Sequence, residues 1–174
     1  MPTPRIIDDR SLVNRIAKSI LAGSDLETYI DAANAELIAL PASYTLDDPK
    51  VVRIGAKPIY PELRENSPTI TIVTTDTQDR TRTANRTGFF RHTLTVTHVV
   101  AHHPSDEEDL VQYEADYAAA IKACLVEEMI GCGDGTIYDV LRRNHVTSIY
   151  TFRDRRAYAL VGTQIFTVET LGRA

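Results

Sequence analysis

The chain has no tryptophan, two methionines, two cysteines and no apolar run approaching the roughly 20 residues that cross a bilayer. Each shortage excludes something. Cys124 and Cys132 cannot build a disulfide framework, so the fold must rest on its own core, and 174 residues suffice to bury one. The opening MPTPRIIDDR lacks the apolar stretch of a secretory signal, which predicts a protein kept in a reducing cytoplasm. The Asn85-Arg86-Thr87 sequon is then accidental. A net charge of -5 argues against general affinity for nucleic acid.

Catalytic signatures are scarce as well. The chain has no G-x-S-x-G, no H-E-x-x-H and no C-x-x-C. Gly131-Cys132-Gly133-Asp134-Gly135 is glycine-rich, but it follows a predicted helix and no Lys-Ser/Thr ends it, so it reads as a helix C-cap running into a turn. His102-His103 precede Asp106, Glu107 and Glu108, a combination with metal-binding chemistry. Neighbouring strand residues point to opposite faces, however, and the acids are explained by a helix N-terminus. Cys124 falls on an apolar stripe and reads as a small core residue. No cofactor, metal or catalytic residue is assigned, and the chain is not expected to be an enzyme.

What is present is a clear sequence of periodicities. Leu12, Val13, Ile16, Ile20 and Leu21 recur at helical spacing, and Gly23 breaks them. Ser24 and Glu27 have the spacing of a capping box for a second helix, carried by Leu26, Tyr29, Ile30, Ala33, Leu37 and Leu40. Residues 1–40 are thus a predicted helical hairpin. A proline-rich connection follows, with one short strand at Val51–Ala56. Thr69–Thr75 is β-branched almost throughout and predicts a strand; Asp76–Gly88 reads as a long polar loop. In Phe89–His102, Leu94, Val96 and Val100 share one face and Thr93, Thr95 and Thr97 the other, as in a half-buried strand. Ser105 and Glu108 cap a long helix whose stripe is Leu110, Tyr113, Tyr117, Ile121, Cys124 and Leu125, ending near Gly131. A short, helical insert is expected through Arg143. Two strands, Val146–Phe152 and Ala157–Thr170, close the chain around a tight turn at Asp154-Arg155. The order predicts a single α+β domain over 1–174, with a mixed or antiparallel sheet, helices on one face and a C-terminal β-hairpin.

Two arginine clusters stand out. Arg80, Arg82, Arg86 and Arg91 lie in or beside the long loop, and Arg142, Arg143, Arg153, Arg155 and Arg156 surround the last strands. Arginine forks suit carboxylates at protein interfaces, so Arg80, Arg82, Arg86, Arg91, Arg153, Arg155 and Arg156 are the candidate interface residues.

Taken together the chain resembles the tail terminator (tail completion) proteins of long-tailed bacteriophages. Three stretches carry the likeness: Asp25–Leu37, the strand–helix unit Leu94–Val126 with its Tyr-Ala-Ala-Ala-Ile, and the closing Phe166–Leu171. The resemblance implies a hexameric ring in the virion, at the tail or neck, assembled in the bacterial cytoplasm. Such a ring caps the tail tube, joins it to the head connector or adaptor, meets a sheath where there is one, and lets DNA pass through its lumen without specific binding. It implies no contact with a membrane. The loop arginines and the helical hairpin would be its contacts to neighbours. Competing readings are a head–tail adaptor, a small metal-dependent enzyme using His102 and His103, and a nucleic-acid-binding module using the arginines.

Overall fold

A computed structural model describes residues 7–40, 42–61, 66–79, 88–102, 107–151 and 158–171. Among these residues three long helices, α1 (Asp9–Leu21), α2 (Ser24–Ala39) and α3 (Glu107–Glu128), join five strands. The strands are β1 (Val51–Ile54), β2 (Thr69–Asp79), β3 (Phe89–His102), β4 (Ile137–Thr151) and β5 (Tyr158–Leu171). The sheet order is β1-β2-β3-β5-β4, with β1 parallel to β2 and the other neighbours antiparallel. This is the expected α+β arrangement, with a helical hairpin first and a β-hairpin last.

Helix α1 begins where Asp8 accepts the Arg10 backbone N–H at 2.8 Å, satisfying one of the helix's orphan donors. Its buried face is Val13, Ala17, Ile20 and Leu21; each larger aliphatic contributes about 2 kcal/mol by leaving water. Helix α2 starts differently from the expected capping box. Gly23 is its N-cap and makes no side-chain cap, because Ser24 already lies inside the helix, where its carbonyl accepts the Thr28 hydroxyl. After α2 the chain runs back along α3. Asn34 clasps the Leu46 backbone at both its N–H and its carbonyl, and the Tyr113 hydroxyl accepts the Asp47 N–H.

Alternation sets the sheet's two faces. Ile70, Ile72, Leu94, Val96, Val100, Leu160, Phe166 and Val168 point to the helices and share one core with Leu21, Leu26, Tyr117, Ile121 and Leu125. The opposite face carries Thr93, Thr95, Thr97 and Thr163, which are only half-buried. At one end the connection after β1 lies against this opposite face: Thr69 donates its hydroxyl to the Ile59 carbonyl, and Tyr60 stacks on Tyr150 with ring centroids 4.2 Å apart. Beneath it Val99, Ala159 and Val161 make a small second cluster.

Two further expectations, for β2 and for the insert, are corrected. Strand β2 runs on to Asp79 where a loop was expected from Asp76, because an irregularity between Thr74 and Asp76 shifts the register and breaks the alternation. Helix α3 ends at Glu128, near Gly131 as expected. The expected insert through Arg143 is mostly strand. A tight turn, Cys132–Gly135, has Gly133, Asp134 and Gly135 all in the left-handed region, which glycine enters without steric cost. Strand β4 then begins at Ile137, nine residues before the predicted Val146. Register shifts at Ile137/Asp139 and Arg142/Asn144 scramble its period of two, which is why the sequence hides it. The Ser105 cap and the Asp154-Arg155 turn lie outside the described residues.

Candidate assembly surface

The edge of the sheet formed by β4 has the chemistry of an interface. Fifteen residues rise about 50 Å at the usual strand spacing, and no described strand pairs with the outer side. Its first residues are anchored, with Ile137 and Val140 buried under the helix layer. From Val146 to Thr151 every residue is exposed, on both faces. Ile149 is 71% exposed, Val146 53% and Leu141 45%. A long strand with open N–H and C=O groups and exposed branched side chains is a template for pairing with another chain.

The helical hairpin, also expected at an interface, exposes Ile38 (75%) and Leu40 (71%) at the end of α2. Beside them a shallow groove between α2 and α3 is floored by Ala32, Ala33, Ala119, Ala120 and Ala123.

Among the candidate arginines, Arg80, Arg82, Arg86, Arg153, Arg155 and Arg156 lie outside the described residues. Arg91 is described and is engaged within the chain. Its Nε donates to Glu169 Oε1 at 2.9 Å, and Tyr138 donates to the other carboxylate oxygen at 2.6 Å. Phe89 meets the Tyr138 ring edge-on, closing a polar and aromatic corner where β3, β5 and β4 meet. Arg142 donates to Gln164 Oε1 at 3.3 Å and Arg143 to Thr167 Oγ1 at 3.0 Å, so both lie along the β4–β5 seam.

The cysteines offer no reactive thiol. Cys124 is fully buried, and burial pushes its thiol up to about 12; Cys132 donates its S–H to the Glu128 carbonyl, and burial raises its thiol as well. The side chains of His102, His103, Asp106, Glu107 and Glu108 lie outside the description.

One cluster escaped sequence reasoning. Glu114 of α3, His98 of β3 and His145 of β4 meet behind the middle of β4. Glu114 Oε1 accepts from His98 Nε2 at 2.8 Å and His145 Nε2 at 2.9 Å, and Oε2 accepts the Thr147 hydroxyl at 2.9 Å. Two signals were readable. Glu114 falls on the apolar stripe, four residues after Leu110 and three before Tyr117, and His98 alternates in phase with Leu94 and Val96. His145 had no signal, because β4 itself was hidden.

No protein-family model and no curated protein matches the chain. Among solved structures it is similar to a chain of the "Virion of native gene transfer agent (GTA) particle", with 14% identity and a TM-score of 0.45, covering 90% of this chain and 98% of that one. No helix among the described residues is long and apolar enough to cross a membrane.

Proposed function

We propose that this chain is a structural subunit of a phage or phage-like particle, closing with copies of itself into a ring. The ring caps the tail tube and joins it to the head connector, with DNA passing through its lumen. The observation that carries the reading is the open edge of β4: a strand this long, exposed and apolar is completed by another chain, and repeated head-to-tail contacts of one kind close a ring. The resemblance of Asp25–Leu37, Leu94–Val126 and Phe166–Leu171 to tail terminators supplies the partner class, and six copies is the number it implies. A net charge of -5 suits a lumen that DNA passes without sticking.

In this proposal Arg80, Arg82, Arg86, Arg153, Arg155 and Arg156 reach carboxylates on neighbouring subunits, and Arg91 acts as a fixed pair with Glu169. The protein's place is the virion, after assembly in the host cytoplasm, and it works without a catalytic centre. The second reading, a head–tail adaptor, uses the same edge and differs only in which ring it faces.

The experiment is the mass of the purified protein over a concentration series, alone and with purified tail tubes, with negative-stain images. Rings of about six copies support the proposal. A monomer at every concentration that also ignores tail tubes removes it.

A further inference from the structure

Glu114 is a carboxylate in the interior, 3% exposed, and His98 beside it is fully buried. Burying an anion is costly unless a positive charge or several donors offset it. Here two imidazoles, one from β3 and one from β4, converge on a single oxygen of a carboxylate held on α3. We propose that His98, Glu114 and His145 bind one divalent transition-metal ion of the zinc type.

The geometry is close to that of such a site. His98 Nε2, His145 Nε2 and a Glu114 oxygen lie within 4.8 Å of one another. An ion with bonds of about 2.0–2.1 Å in a tetrahedron holds its ligand atoms roughly 3.3 Å apart, so the three donors need shifts of an ångström or so. Two imidazole nitrogens and one carboxylate oxygen are the donors zinc takes at three-ligand sites, leaving a fourth position; calcium and magnesium prefer all-oxygen shells.

The surroundings fit as well. Gly162 of β5 lies directly under the cluster, and a Cβ there would run into Glu114 Oε1 and the His98 ring; its absence makes the room. Thr147 holds Oε2 and so turns Oε1 towards the imidazoles, as outer-shell partners orient metal ligands. His145 is 22% exposed at its side chain, giving a path from solvent. The ion would tie β4 to α3 and β3, fastening the open edge strand to the core. None of this depends on the ring reading, since every ligand belongs to one chain.

The test uses full-length protein stripped with EDTA, titrated with ZnCl2 by calorimetry and with CoCl2 by visible absorption. One zinc per chain, a raised Tm, and cobalt bands of a nitrogen and oxygen site without a thiolate charge-transfer band are expected. His145→Gln keeps a donor for Glu114 at the exposed rim, and should bind zinc at least about tenfold more weakly. Its Tm in EDTA should match the parent. The wild-type cobalt spectrum decides independently should that variant fold poorly. No zinc uptake by the parent, which would leave a purely hydrogen-bonded trio, overturns the assignment. So does undiminished uptake in a folded His145→Gln, or a thiolate band implicating Cys132.

Discussion

The two edges of this sheet are built in opposite ways. β1 is four residues long, pairs in parallel with β2, and is flanked by Pro49 on one side and Gly55 and Pro58 on the other. A short strand between prolines offers little backbone for another chain to pair with, one of the ways proteins blunt an edge. β4 is fifteen residues long, has no proline, and carries Leu141, Val146 and Ile149 outward. One edge is closed and the other left open. A head-to-tail contact through the open edge must therefore seat on a patch of the next copy other than β1.

The largest expected effect breaks that asymmetry outright. Val146→Lys with Ile149→Lys should abolish self-association and tube binding, while Val51→Lys on the closed edge should leave both intact. Sedimentation or light scattering checks both. Because all three positions are exposed, unfolding free energies should stay within about 0.5 kcal/mol per substitution. Loss of assembly from the β1 substitution alone would show that the wrong edge has been assigned.

Seating of the open strand comes next. Gly162→Ala forces a methyl into Glu114 and His98, and should cost about 1–3 kcal/mol in urea unfolding, as overpacking does. A smaller effect is expected at the tie between the two edges. Tyr60, from the connection after β1, stacks on Tyr150 of β4, and Tyr60→Ala should cost about 1 kcal/mol and speed amide exchange in 146–151.

The smallest effect belongs to the middle of the sheet and serves as the control for both edges. His92 is fully buried between the hydroxyls of Thr77 and Thr170. Burial disfavours its charged form and lowers its pKa below the ordinary 6.5, against the weaker pull of Asp9 and Asp8. The unfolded chain therefore binds the proton first. The stability that His92 contributes is complete above pH 6.5 and declines as pH falls towards the folded value. His92→Gln should flatten that part of the stability profile in urea titrations, with assembly unchanged.

Much of this was legible in single residues. Leu94, Val96 and Val100 against Thr93, Thr95 and Thr97 gave β3 its bounds and both its faces, and Leu110–Leu125 gave α3 its buried stripe. The missed elements share one cause. β2 beyond Thr74 and β4 before Val146 each contain a register shift, and one extra residue swaps the faces of everything after it. The Ser24 cap failed for a local reason: Gly23 enters the helix in an extended conformation and leaves Ser24 inside the first turn.

By itself the sequence determined the fold class, the helical hairpin, the central strands and which faces go inward. Those follow from periodicity and caps, which act over a few residues. Only the tertiary structure decided that β4 is an edge, and that Glu114, His98 and His145 meet. Strand order and convergence across 16 and 31 residues of chain depend on how three elements pack, and no local pattern records that.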